Sequence, residues 1–322
     1  MEHYEESMYW GNVAEWVPAD GGFRRAVRVS EPYRNALPWR TAENSFRPAG
    51  VELRFRSDSG EVVLELAGPQ RVDFRAGGSE WSSAFSVPDG GGHKLVLTSS
   101  HPGSHIWRVR FGREHPLLLC SVQIEASMEP APPSGVRWLA HGSSITEGGN
   151  ASRPINTYVW RTADLLGWTP INLGFGGSCW GDRASAFYIA SRDDWDILTL
   201  EIGINTVGLG IDSPKTFELG YEVFLEVIRE RHPEKPIVCI SPFWCRWDEE
   251  AGPQAELLSG VRKAIDAVVD RRTGSDRNLH FVDGRELITG PEHLEPDLVH
   301  PNDAGMAHIA QVLAPRLRDI LS

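Results

Sequence analysis

Between about Gly11 and Met128 apolar and polar positions alternate in short runs. Val51, Leu53 and Phe55 alternate with Glu52, Arg54 and Arg56. After a Ser57-Asp58-Ser59-Gly60 turn, Val62, Leu64 and Leu66 alternate with Glu61, Val63 and Glu65. A period of two lines one face of a strand with one kind of side chain, so these runs predict a hairpin with a single buried face. Trp107, Val109 and Phe111 alternate with Arg108 and Arg110 in the same way. Further strands are expected over 23–29, 70–75, 82–87, 93–98 and 117–125. Short strands broken by Gly and Pro turns predict an all-β, jelly-roll-like antiparallel sandwich over residues 1–128.

Residues 129–135, Glu-Pro-Ala-Pro-Pro-Ser-Gly, read as a linker: proline stiffens the stretch and nothing in it offers a packing face. Beyond it the period changes. Apolar strand segments at 136–140, 170–175, 197–202, 237–241 and 279–282 are interleaved with helical patterns. A continuous run such as Ile197-Leu198-Thr199-Leu200 suits a strand covered on both faces. Phe217, Tyr221, Phe224, Leu225 and Ile228 recur at helical spacing behind Ser213 and Pro214, an N-cap and a first-turn proline. Leu257, Val261, Ile265 and Val268 do the same. A last helix carries Met306, Ile309, Ala310, Leu313 and Leu317, with a kink expected at Pro315. Residues 136–322 are therefore expected to form an α/β domain on a five-stranded parallel sheet. Its ligands belong beyond the C-terminal ends of the strands.

The length of 322 residues accommodates two such domains. The net charge of −12 argues against nucleic acid as a partner, since phosphate binding needs clustered Lys and Arg. No uncharged apolar run approaches the roughly 18 residues of a membrane span, so no membrane association is expected. Met1 to Glu6 are acidic, without the apolar core of a secretory signal. Cys120, Cys179, Cys239 and Cys245 show no metal-type pairing and are expected to be free thiols, which points to a cytoplasmic protein.

The unusual loops of the second domain all follow strands. Gly142-Ser143-Ser144 follows the first, Asn172 to Gly177 the second and Gly203-Ile204-Asn205 the third. Asp297-Leu298-Val299-His300-Pro301 comes after the fifth. A serine hydroxyl is a weak nucleophile at neutral pH and needs a base within hydrogen-bond reach, itself held by a third group. Ser144, His300 and Asp297 supply those three parts. Taken singly, each motif reads more simply as a turn or a helix cap. Their convergence on one sheet edge is what chance explains poorly.

These motifs resemble the four blocks of the SGNH (GDSL) hydrolase superfamily. Gly142-Ser143-Ser144 corresponds to the serine block, and Asn172, Gly174 and Gly177 to the glycine block. Gly203 and Asn205 match the Gly-x-Asn block, and Asp297, His300 and Pro301 the Asp-x-x-His-Pro block. The resemblance implies a flavodoxin-like three-layer αβα domain. It also implies Ser144 as nucleophile and an oxyanion hole built from the Ser144 N–H, the Gly177 N–H and the Asn205 amide. Each such donor is worth roughly 3–4 kcal/mol in the transition state. Ser143 and Thr206 stand where the family usually has aspartates. The run Gly142 to Thr146, Gly-Ser-Ser-Ile-Thr, resembles a branch that joins a β-sandwich to this domain and includes both esterases and natural-product acyltransferases.

Trp180, Trp244 and Trp247 fall on loops at the expected site edge. They read either as flat walls of an acyl or alcohol pocket or as packing between domains. His141 is expected to be a strand-end neighbour of the serine loop, and His293 and His308 surface residues. No metal or other cofactor is expected, because His300 lacks companion ligands at suitable spacing. The function expected is a serine esterase acting on a small or carbohydrate O-acyl ester through an acyl-enzyme intermediate. The alternatives are an acyltransferase that moves the acyl group to a sugar or natural-product alcohol, and a non-catalytic carbohydrate-binding protein. For the sandwich, substrate contact, cleft cover and a homo-oligomer contact all remain open roles.

Overall fold

The computed structural model describes residues 8–86, 92–101, 103–210 and 213–322. Met1 to Glu6 and Val87 lie outside the described residues. The chain divides into two compact units. One comprises Met1–Ser30, Glu43–Ser134 and Arg153–Ile155; the other comprises Glu31–Ala42, Gly135–Ser152 and Asn156–Ser322. Residues 31–42 thus fall inside the span that the sequence gives to the sandwich, yet they pack with the α/β unit. They carry the short helix α1 (Glu31–Arg34), with Pro32 in its first turn, and most of α2 (Trp39–Asn44), which follows Pro38, and no period-two pattern marks them.

The first unit is built from β1 (Tyr9–Gly11), β2 (Glu15–Pro18), β3 (Arg24–Val27), β4 (Glu52–Ser57), β5 (Glu61–Ala67), β6 (Gln70–Ala76), β7 (Ser82–Ser86), β8 (Gly92–Thr98), β9 (His105–Phe111), β10 (Leu118–Gln123) and β11 (Glu129–Pro130). One antiparallel sheet runs β1-β4-β9-β6-β7, with β11 added to β4, and the other runs β2-β3-β10-β5-β8. The hairpin expected between β4 and β5 does not form. β4 pairs with β1, β9 and β11, whereas β5 pairs with β8 and β10 in the opposite sheet. The turn after Ser57 crosses between sheets, held by the Trp107 indole N–H donating to the Ser59 carbonyl at 3.2 Å. Leu53, Phe55, Val62, Leu64 and Leu66 all lie in one buried core. Alternation marks the buried face and is silent about which strand lies alongside.

The proline-rich stretch also departs from expectation. Glu129 and Pro130 add to the edge of β4, and Arg54 Nε donates to the Ala131 carbonyl at 3.1 Å. An edge position tolerates proline because one row of amide groups there has no partner to serve. Deeper in the same unit, the fully buried Asp73 carboxylate receives Arg153 Nε at 3.0 Å and the Ile155 N–H at 3.0 Å.

The second unit carries a parallel sheet of β12 (Arg137–Gly142), β13 (Thr169–Gly174), β14 (Ile197–Glu201), β15 (Ile237–Ile240) and β16 (Leu279–Val282), in the order β13-β12-β14-β15-β16. This is the flavodoxin-like 2-1-3-4-5 order, and it reverses direction at β12, beside β14. Every residue of β14 and β15 is buried, as continuous apolar runs require. Around the sheet lie α3 (Ser144–Glu147), α4 (Tyr158–Leu166), α5 (Arg183–Ala190), α6 (Ile204–Leu209), α7 (Pro214–Arg231), α8 (Pro253–Thr273) and α9 (Asp303–Ile320). Ser213 caps α7 by accepting the Thr216 N–H, and the five apolar residues expected on its inner face are all buried. α9 continues through Pro315 with Met306, Ile309, Ala310, Leu313 and Leu317 buried.

The core of this unit gathers Trp138, Tyr158, Phe243, Ile309, Leu313 and their neighbours. Burying each large side chain contributes on the order of 2–3 kcal/mol. Trp138 is fully buried yet satisfied, its indole N–H donating to Thr199 Oγ1 at 3.0 Å. Among the described residues no helix is long and apolar enough to cross a membrane. The four cysteines are free thiols.

Candidate active site

β12 ends in a turn so tight that two glycines are obligatory. A methyl group on Gly142 would stand 2.1 Å from Thr146 Oγ1, and one on Gly174 would stand 2.1 Å from the Glu147 nitrogen. Asn172 joins the serine loop to β13: its Nδ2 donates to the Thr146 carbonyl at 2.7 Å, and its Oδ1 accepts the Gly174 N–H at 2.8 Å. Ser143 caps α3 by accepting the Ile145 N–H at 3.2 Å, and Gly148, at φ 98°, ends it. Ser144 is therefore the first residue of a one-turn helix and the half-buried member of a buried turn.

Beneath that turn sits Glu201, the last residue of β14 and 1% exposed. Its Oε2 accepts the Ser143 N–H at 2.8 Å, the Ser143 hydroxyl at 2.7 Å and the Thr146 hydroxyl at 3.0 Å. Thr146 Oγ1 also lies 2.8 Å from the Tyr158 hydroxyl. Burial raises the Glu201 carboxyl from 4.5 to about 7, with the hydrogen bonds from Ser143 and Thr146 pulling the other way. Sequence reasoning passed over this residue. The available signal was a lone carboxylate closing an otherwise apolar, two-face-buried strand.

His300 arrives on the loop after β16. Ser144 Oγ and His300 Nε2 are 2.8 Å apart, and His300 Nδ1 and Asp297 Oδ2 are 2.6 Å apart. The second Asp297 oxygen accepts the N–H groups of Val299 and His300 at 2.9 and 3.0 Å. Leu298, between them, sits at φ 55°, which folds the carboxylate back onto the ring three residues on. A non-glycine residue in that region costs on the order of 1 kcal/mol. Burial acts to raise the Asp297 carboxyl, but the N–H donors and the His300 ring outweigh it and hold it below its ordinary value. The loop is pinned by the Glu295 N–H donating to the His300 carbonyl at 2.8 Å and by Asn302, which caps α9 through Gly305.

The other block residues lie around the same strand ends. Gly177 stands at φ 66°, a conformation that side chains rarely adopt. Asn205, in the first turn of α6, accepts the Cys179 N–H through Oδ1 at 3.0 Å. With the carbonyl side engaged, the amide NH2 is the half left to donate, and it makes no hydrogen bond among the described residues. The N–H groups of Ser144 and Gly177 likewise make none among the described residues. Thr206 is buried.

The tryptophans separate. Trp244 packs against the core of the α/β unit. Its loop is tied to the histidine loop through the Arg246 N–H, which donates to the Leu298 carbonyl at 2.8 Å. On the same loop, Trp247 has the Arg246 guanidinium 5.9 Å from its ring centre. Trp180 is half-buried, with its indole N–H buried and unpartnered among the described residues. None of the three touches Ser144, His300 or Asp297 by a hydrogen bond or ring contact among the described residues. His141 is fully buried at the end of β12: Nδ1 is 2.9 Å from the Leu173 carbonyl, and the ring stacks on Phe224. His293 and His308 stack on each other at 4.4 Å and are both half-buried rather than free on the surface.

No curated protein matches the sequence. Among solved structures, the chain is similar to the salicylyl-acyltransferase SsfX3 from a tetracycline biosynthetic pathway, with 21% identity and a TM-score of 0.87 over 98% of this chain and 95% of that one. It is similar to a family two carbohydrate esterase from Cellvibrio japonicus, at 16% identity and a TM-score of 0.70 over 98% and 96%. An acetyl xylan esterase (Est2A) from the rumen bacterium Butyrivibrio proteoclasticus aligns at 15% identity and a TM-score of 0.66 over 98% and 96%. At these identities the likeness is one of fold. The sequence model of the GDSL-like Lipase/Acylhydrolase family matches residues 140–308, more than half of the chain and the whole stretch that carries the four motifs, so the chain belongs to that family.

Proposed function

We propose that this protein is a serine esterase that cleaves a small or carbohydrate O-acyl ester through an acyl-enzyme. The observation that carries the reading is the chain of contacts from Ser144 Oγ to His300 Nε2 at 2.8 Å and from His300 Nδ1 to Asp297 at 2.6 Å. In it, Ser144 Oγ attacks the ester carbonyl carbon as its proton passes to His300 Nε2. Asp297 holds the Nδ1 proton and stabilises the imidazolium. Negative charge on the carbonyl oxygen is met by the N–H groups of Ser144 and Gly177 and by the Asn205 amide. The tetrahedral adduct collapses, the C–O bond to the alcohol breaks, and the alcohol leaves with the proton from His300. Water then repeats the sequence on the acyl-serine and releases the acid.

An acyltransferase differs only in that a bound alcohol replaces water in the second half. The likeness to SsfX3 over nearly the full chain supports that version, and the likeness to the two carbohydrate esterases supports the hydrolase with a sugar ester. A binding protein without chemistry has no need of a serine, a histidine and a carboxylate in hydrogen-bonded sequence. The test is intact-protein mass after treatment with a fluorophosphonate, on the wild type and on Ser144→Ala. One adduct on the wild type, absent from the variant, is expected. No adduct, or one that persists in the variant, overturns the reading. Untreated wild-type enzyme is then given acetylated xylo-oligosaccharides with and without added alcohols, and the ratio of acetate to new ester separates hydrolysis from transfer.

A further inference from the structure

The glycine loop has a cation lying against it. Arg40 belongs to the stretch 31–42 that packs with the α/β unit. A methyl group on Gly177 would stand 2.7 Å from Arg40 Nη2, 3.0 Å from Cζ and 3.4 Å from Nε, so the guanidinium occupies the space that a side chain at that position would need. Its placement is anchored one residue on: Thr41 is fully buried and donates its hydroxyl at 3.2 Å to the carbonyl of Ser178, the residue after Gly177. Arg40 itself is exposed and forms no ion pair or hydrogen bond among the described residues.

In a chain of net charge −12, what sets Arg40 apart is its position against Gly177 with its donors open to a ligand. The largely buried arginines of this unit are held in ion pairs, Arg192 with Asp194, Arg229 with Asp276 and Arg262 with Asp248, whereas Arg40 keeps its donors toward solvent. The five N–H donors of a guanidinium form a planar fork that matches a carboxylate or a phosphate. An overall negative field repels such ligands from the surface, so a site that takes them needs a local cation.

We propose that Arg40 is a specificity-determining residue, by which this site selects esters that carry a carboxylate or phosphate group. This rests on the esterase reading above. Gly177, proposed to donate to the carbonyl oxygen, sets the scale: a charge within a few bonds of the ester comes within reach of the fork. The charged group sits on either the alcohol or the acyl side, and matched probes tell the two apart.

The experiment compares kcat/KM within two pairs. For the alcohol side these are 4-acetoxybenzoate and its methyl ester; for the acyl side, mono-4-nitrophenyl adipate and 4-nitrophenyl hexanoate, with the charge about as far from the ester as in the first pair. Each pair is run on the wild type, Arg40→Ala and Arg40→Lys. The charged-to-neutral ratio is expected to fall roughly 10- to 100-fold in Arg40→Ala for at least one pair, as loss of a charge-assisted hydrogen bond implies. Arg40→Lys should recover part of it, and added salt should lower the wild-type ratio. A ratio unchanged in both pairs while wild-type Ser144 still takes the fluorophosphonate overturns the role of Arg40 alone. A fall shared equally by charged and neutral esters does the same, since it reports damage to the loop. A wild type that is not labelled overturns the esterase reading, and this proposal with it.

Discussion

Glu201 Oε2 accepts both the backbone N–H and the hydroxyl of Ser143, at 2.8 and 2.7 Å. Ser143 stands where the family usually carries an aspartate, so the carboxylate at this point of the fold comes from the neighbouring strand. The exchange is sterically tight, because a methyl on Gly142 would come within 2.7 Å of that same oxygen. One acceptor atom thus fixes the residue before Ser144 and, through Thr146, the residue two after it. The nucleophile turn is set by a buried carboxyl group rather than by a loop of its own making.

That burial makes Glu201 a source of pH-dependent stability. Its carboxyl is raised from 4.5 to about 7, so the neutral form is the one the fold favours. The contribution is fully present below about pH 4.5 and is lost as pH rises through about 7, on the order of 3 kcal/mol in all. Glu201→Gln keeps the shape and removes the titration. Thermal midpoints measured from pH 5 to 8 should fall more steeply for the wild type than for the variant. Parallel curves for the two proteins would refute the assignment.

Gly174 and Gly220 should respond in opposite directions to the same substitution. A methyl on Gly174 meets the Glu147 nitrogen at 2.1 Å, and backbone cannot give way as a side chain can. Gly174→Ala is expected to lose about 2–3 kcal/mol or more in urea unfolding. Gly220 lies exposed inside α7, with nothing within 4 Å of an added methyl. Gly220→Ala should gain about 0.5–1 kcal/mol from reduced freedom of the unfolded chain and better helix propensity.

These contrasts mark how far the sequence could be read. Ser144, Gly177 and Asn205 are visible because each lies within a few residues of a strand end, and His300 because Asp297 stands three residues before it, so that local spacing carries the information. The parallel sheet is legible for the same reason: a strand buried on both faces is apolar throughout. The β4–β5 pairing was not, since Leu53 and Val62 face one core whether the strands are neighbours or lie opposite. Arg40 and Glu201 escaped notice because their importance is tertiary. Nothing near position 40 announces that Thr41 will be buried against Ser178, and a single Glu at a strand end looks like solvent-facing punctuation.

Asp297→Asn should separate orientation from charge. Asn retains an oxygen for the Val299 and His300 N–H groups, so the loop should keep its fold. Its amide NH2 presents a donor to His300 Nδ1, which favours the tautomer with the proton on Nε2, where Ser144 needs an acceptor. Turnover is expected to drop roughly 10³-fold, less than at a fully enclosed triad because the Asp297 side chain is 45% exposed. Raising the pH should not restore it. Recovery at alkaline pH would show that only a shifted titration had been introduced.

Asn205 offers the sharpest division between binding and catalysis. Its Oδ1 is taken by the Cys179 N–H at 3.0 Å, which fixes the amide plane and leaves the NH2 side for a ligand. A neutral ester carbonyl gains little from that donor, while the alkoxide of the tetrahedral adduct gains much, because only there has charge developed. Asn205→Ala should therefore lower kcat by roughly 10²–10³-fold and leave KM within a small factor. Asn205→Asp is the stricter probe. It puts an acceptor where the donor stood and sets one carboxylate oxygen against the oxyanion, so it should fall below the alanine variant. If kcat holds and KM rises instead, Asn205 binds the ground state, and the third donor must be sought elsewhere on the loop.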